Sequence, residues 1–333
     1  MADYKGIKGF TIQNLSADPP APKAGQVWYN STSNVLKGYA SVTGAWASGG
    51  NRNERVRGAP GAGSQTAAIT AGGSSYLPGV LSLNTETYDG TSWTEVNNLP
   101  TAVFTNSMAG NTTAALMWGG DTTPAVQISK TTSWDGTSWT EVSDLLVGNI
   151  NMAECIGTQT AALSVCGGNP TTIAETVLYN GTSWADLNDV NTGRSTLSGS
   201  GISTAGIIFG GSSNPPLQDF TETFNGTVWT EVGDLINARE AAGSAMQGTT
   251  SSTLVFAGNS PAFPSSITNK TEEWNRTSWT EFGTLATARA QCGGSGTASA
   301  ALCFGGIVSG PPTIMNTTEA WNSGLSVVTF TSS

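Results

Sequence analysis

The chain has 333 residues, a formal net charge of −10 and 11% charged residues, against roughly 25% in an average globular protein. An acidic chain repels a phosphate backbone, which argues against nucleic acid as a partner, and no apolar run approaches the roughly 18 residues of a membrane span. Histidine is absent, which excludes Ser-His-Asp and Cys-His catalysis and the commonest metal ligand; no catalytic residue, metal site or cofactor is expected.

Residues 1–50 read as a separate region, with Pro19-Pro20-Ala21-Pro22 as a stiff connector. The run Gly25 to Tyr39 holds two β-rich stretches around an Asn/Ser/Thr turn, a hairpin signal. Tyr39 to Trp46 follows as a loose aromatic hairpin, which either adds a strand to the final blade and locks the ring or, the preferred reading, stands outside the ring as an anchor.

From residue 51 the chain repeats. Tyr88-Asp89-Gly90-Thr91-Ser92-Trp93-Thr94-Glu95 returns around Trp139, Trp184, Trp229 and Trp279, at steps of 46, 45, 45 and 50 residues. A period in the forties means stacked supersecondary units. Each unit opens with small residues (strand a), continues in an apolar strand ending in glycine (strand b), such as Ala114 to Gly120, and crosses a Pro-containing loop. It closes with an aromatic hairpin (strands c and d) turning at Asp-Gly or Asn-Gly, where positive φ is cheap. Few stretches resemble a helix; Asn237 to Ala242 is one, stopped at Gly243. Six such units predict an all-β, six-bladed propeller over residues 51–333. In a ring, glycine and alanine of strand a leave room at the axis, and the strand d tryptophan fills the wedge between blades. The last hairpin is worn (Trp321-Asn322-Ser323-Gly324), and Leu325 to Thr331 is expected to serve as the outer strand of the final blade.

A glycine pair after strand b, then an aromatic, then tryptophan, then an arginine before the next strand a resembles the kelch repeat. Arg194, Arg239 and Arg289 stand where that arginine falls. Departures are Ala257 for the first glycine in unit five, no such arginine in units two and three, and loss of the last tryptophan. The stretch Gly25 to Tyr39 resembles short β modules that head bacteriophage tail-fibre and other virion proteins, and the lead-in from Met1 to Leu15 is similar to proteins of marine phages.

Several motifs look chemical. Ser133 to Trp139 resembles the Asp-box turn of sialidases, although glycine follows the aspartate directly; the reading preferred is a hairpin turn with tryptophan in the core. Glu95, Glu141, Glu231 and Glu281 recur on strand d and read as surface carboxylates spread around the ring. Asn180-Gly181-Thr182 and Asn225-Gly226-Thr227 read as turns. Cys155/Cys166 and Cys292/Cys303 are each eleven apart across a hairpin, placed to be either disulfides or, the preferred reading, small buried thiols.

The loops between strands b and c vary and carry stiff apolar residues, and they share a face with the loops from strand d to the next strand a. Tyr76, Leu77, Val126, Leu217, Phe263, Ile314 and Met315 are therefore the expected binding residues. The resemblances imply a non-enzymatic virion structural protein, a tail-fibre or spike-type adhesin that binds a host surface glycan or protein. Residues 1–50 would dock on other virion proteins, and the homo-oligomeric state is left open. A capsid or tail decoration protein and a cellular kelch-type interaction scaffold are the alternatives. Met1 to Gly6 lacks the features of a signal peptide, so the expected location is the virion, after synthesis in the host cytoplasm.

Overall fold

A computed structural model describes residues 12–20, 26–76, 80–122, 126–146, 154–169, 171–213, 216–260, 267–309 and 313–330. They contain strands and turns and no helix. The chain divides into two compact units, one formed by residues 1–45 with 322–333 and the other by Trp46–Trp321.

The larger unit is a six-bladed propeller. Blade 1 runs Gly61–Ser64, Ala67–Ala71, Thr85–Tyr88 and Trp93–Val96 as strands a to d, hydrogen-bonded in that order. Blades 2 to 5 repeat the pattern, beginning at Ser107, Glu154, Ser198 and Gly243. Strand b is buried on both faces: Ala68, Leu116, Leu163, Ile207, Leu254 and Leu302 are all 0% exposed. That burial explains a continuous apolar run instead of alternation. Strands a of neighbouring blades approach so closely that a Cβ on Gly294 would lie 2.2 Å from the Ser244 carbonyl oxygen, and one on Gly61 2.2 Å from that of Gly294.

The c–d turns are built by their first residue. Asp89 Oδ1 accepts from the backbone N–H of Thr91 and of Ser92, both at 2.8 Å, while Gly90 takes φ 94°. Asp135, Asn180, Asn225 and Asn275 repeat this bracket. In the fifth blade Arg276 holds the left-handed position at φ 86°.

The turn delivers a tryptophan into the seam with the preceding blade, where its indole N–H donates to the threonine that opens strand c. Trp93 reaches Thr318 at 2.9 Å, Trp139 reaches Thr85 at 2.9 Å and Trp184 reaches Thr131 at 3.1 Å. Trp229 reaches Thr176 and Trp279 reaches Thr221, each at 3.0 Å. The sixth bond is Trp46 to Thr271 at 2.8 Å. Trp46 is thus the strand d tryptophan of blade 6, and the end of the stretch expected outside the ring closes it.

Blade 6 takes strands a and b from Gly293–Thr297 and Ala300–Phe304, strand c from the start of Thr318–Phe330, and strand d from the end of Val35–Ser48. The expectation that Leu325 onward turns back as the outer strand is corrected: Thr318–Phe330 is one uninterrupted strand. The cause is local. Serine follows Asn322 where the other turns have glycine or the left-handed Arg276, so the hairpin is lost and the strand runs on. The helix-like stretch at Asn237 to Ala242 also forms no helix; it carries an isolated bridge from Glu240 to Asn259.

In the smaller unit, Gln13–Leu15 pairs in parallel with Val27–Asn30, which forms a hairpin with Val35 to Gly38. Asp18 staples it, accepting from Trp28 Nε1 at 3.1 Å, Asn30 Nδ2 at 2.8 Å and Lys37 Nζ at 2.8 Å.

Candidate functional site: the loop face and its axial cup

Each b–c loop is built as a small hairpin. Ser74–Tyr76 pairs with Val80–Leu81, Asp121–Thr122 with Val126–Gln127, Gly168–Asn169 with Thr171–Thr172, and Ile307–Val308 with Thr313–Ile314. Blades 4 and 5 make the same link by the bridges Ser212 to Leu217 and Asn259 to Ile267. The incoming d–a segment then bridges the base of the hairpin, as Arg57 to Ser74, Phe104 to Asp121, Ser195 to Ser212, Glu240 to Asn259 and Ala290 to Ile307. The two loop sets therefore share one face, and backbone pairing makes that face a rigid support.

Around the axis, Gly58, Thr105, Thr196, Ala241 and Gln291 occupy equivalent positions, all left-handed with φ between 50° and 62°. A left-handed residue without glycine's freedom is strained. Here the strain has a visible partner: Ala241 N–H donates to Thr196 O, Gln291 to Ala241 and Gly58 to Gln291, each at 2.8 Å, and Thr105 to Gly58 at 3.3 Å. A chain of backbone hydrogen bonds thus runs from blade to blade around the mouth. No sequence signal marks this ring, because four of its five described members are not glycine.

Inside the ring lies a cup of about 140 Å³. Pro60, Asn106, Leu197, Ser244, Met246 and Cys292 are among its walls. Asn106 is 7% exposed and its amide nitrogen and oxygen have no protein partner. The Thr196 hydroxyl lies 2.6 Å from Ser195 O and 3.1 Å from Glu240 Oε2, sharing its one proton between them, and Arg57 Nη1 donates to Gln291 Oε1 at 2.6 Å at the rim.

Of the residues expected to bind, Val126 is 53% exposed, Leu217 and Met315 are half-buried, and Ile314 is buried at 8%. Tyr76 ends its loop strand. Leu77 and Phe263 lie outside the described residues. Val80, 57% exposed on the blade 1 loop hairpin, was not among the expected residues.

The kelch-position arginines lie inside the blades, not on this face. Arg194, Arg239 and Arg289 are 0–1% exposed and pair with Glu222, Glu272 and Glu319, the second residue of strand c in the same blade. Blade 1 has Val56 at the arginine position, and Arg52, four residues earlier, reaches Glu86 at 3.0 Å instead. Blade 2 has Val103 and Thr132 in place of arginine and glutamate. The carboxylates also accept a backbone N–H, from Asn53, Asn191, Ile236 or Ala286. In blade 2 that donor is replaced by Pro100, which has none.

Glu95, Glu141, Glu231 and Glu281 are exposed on strand d; Glu141 and Glu281 meet Lys130 and Lys270. The backbone N–H of Ser92 and of Ser138, followed by those of Thr91 and Thr137, hold the Asp89 and Asp135 carboxyls below the usual range, as the turn geometry requires. All four cysteines are buried and none forms a disulfide.

No family model matches the chain, and no curated protein matches it in sequence. The solved structure entitled "Structure of YjhT" is similar in fold, with a TM-score of 0.67 at 10% identity over 83% of this chain and 99% of that chain. The fold is that of a kelch-like β-propeller.

Proposed function

We propose that this protein is a non-catalytic binding module of a bacteriophage virion, a tail-fibre or spike-type adhesin whose propeller face meets a host surface glycan or protein. The reading rests above all on the loop face. Paired hairpins hold Val80 and Val126 at 57% and 53% exposure on that face, which is how a stiff scaffold displays contact residues. The likeness of Gly25 to Tyr39 to virion modules supports residues 1–45 as the part that joins other virion proteins. The four buried arginines are already matched by glutamates, which leaves them no role in gripping an anionic substrate.

The test is binding of the full chain to candidate host cells. Val80→Asp with Val126→Asp alters the loop face, and Ile202→Asp, at the a–b turn on the opposite end of blade 4, serves as control. Loss of at least about tenfold in affinity for the double variant, with the control unchanged, is expected. Equal binding by all three proteins refutes the loop face as the receptor site. If none binds cells and the full chain re-attaches to stripped particles, the decoration reading replaces the adhesin.

A further inference from the structure

The two cysteine pairs share a spacing of eleven residues but not a geometry. Strands a and b of blade 6 pair with Gly294 opposite Cys303. Cys292 lies two positions before Gly294, so its side chain projects from the same face, diagonal to Cys303. Gly294 has no side chain to come between them, and each thiol perturbs the pKa of the other. Both belong to one apolar cluster with Leu254, Phe256 and Trp321. Cys292 is 8% exposed and lines the axial cup, while Cys303 behind it is 0% exposed.

Cys155 also lines the cup, with Cys166 0% exposed, but these two thiols do not face each other. Cys155 faces Ser164 and donates its S–H to the Met108 carbonyl at 2.7 Å. Cys166 follows the end of its strand at φ 60°, the position that glycine holds in blade 1 as Gly72. That left-handed turn sends its side chain away, and the two thiols end in different apolar clusters.

We propose that Cys292 and Cys303 form a redox-active dithiol, reached through the axial cup by a low-molecular-weight disulfide that closes it into an internal disulfide. The Cys292 thiolate attacks one sulfur of the reagent R–S–S–R, forming a mixed disulfide and releasing the first thiolate RS⁻. Cys303, deprotonated, attacks the Cys292 sulfur, forming the internal bond and releasing the second. The protein loses two electrons and two protons, and the reagent becomes two RSH. The division of labour suits this order: the neighbouring Cys303 side chain lowers the Cys292 pKa, whereas burial raises that of Cys303. The accessible thiol is the nucleophile and the buried one resolves. The inference does not depend on the adhesin reading.

The experiment exposes the full folded chain to 2-hydroxyethyl disulfide, quenches with acid, alkylates the remaining thiols after unfolding, and maps the peptides by mass spectrometry. A urea-unfolded sample checks the reagent. The expected product carries a linked 292/303 peptide lighter by two hydrogens, with Cys155 and Cys166 alkylated. Cys303→Ser should hold a hydroxyethylthio adduct on Cys292, and Cys292→Ser should react at Cys303 at least about tenfold more slowly. Survival of all four thiols in the wild type, a stable adduct on wild-type Cys292, or a bridge involving Cys155 or Cys166 would overturn the proposal.

Discussion

Arg239 and Glu272 offer a sharp test of why charge lies inside the blades. Their side chains are 1% and 0% exposed, and Arg239 Nη2 donates to Glu272 Oε1. Changing Glu272 to Met leaves a buried guanidinium with the carbonyls of Ala257 and Lys270 at 3.2 Å and no counter-charge. It also strips the Ile236 N–H of its acceptor at 2.8 Å. The expected cost is about 3–5 kcal/mol. Arg239→Met leaves the carboxylate buried with Ile236 and Asn237 as its remaining donors, at a similar cost of about 3–5 kcal/mol. The double variant removes both charges and keeps the volume, so what remains is the unpaired Ile236 N–H and the loss of the Arg239 bond to the Ala257 carbonyl, together about 1–3 kcal/mol. Blade 2 is built that way, with Val103, Thr132 and Pro100 at the three positions. Urea unfolding followed by tryptophan fluorescence measures all three. If the double variant costs the sum of the singles, the partners are independent and the reasoning fails.

Trp46→Ala should destabilise the propeller by about 3 kcal/mol, the low end for a core tryptophan because Trp46 is half-buried. It removes the bond to Thr271 and ring contacts with Phe256 at 4.9 Å and Trp321 at 5.6 Å. Hydrogen exchange should quicken first in Gly293–Thr297 and Ala300–Phe304; uniform quickening across blades would contradict a seal there. In the smaller unit, Asp18 is held down at about 2 against an ordinary value of 3.8, mainly by Lys37 and then Asn30. A depressed carboxyl stabilises fully above its unfolded pKa, and that contribution fades as pH falls from about 4 towards 2. The Trp28 indole N–H resonance should shift through that window, and Asp18→Asn should abolish the shift; a shift that persists places its origin elsewhere.

The amino-acid sequence determined by itself the repeat, the four strands of each blade and the tryptophan seams. These are local: a short polar residue brackets the turn, glycine supplies positive φ, and the tryptophan follows at a fixed distance. It also marked the b–c loops as the variable part, since Pro-rich segments between regular strands stand out in composition. Three features depend on tertiary structure. Trp46 closes the circle because its partner, Thr271, is 225 residues away, and a worn copy of the hairpin does not reveal which end supplies the missing strand. Arg52 replaces the kelch-position arginine from four residues upstream, since burial rewards the position of the guanidinium and not its place in the chain. Two cysteine pairs of identical spacing differ because one left-handed residue, Cys166, turns its thiol away while Gly294 leaves Cys303 facing Cys292. Spacing records separation along the strand; which side of the blade a thiol meets is decided by backbone geometry and by what the neighbouring residue lacks.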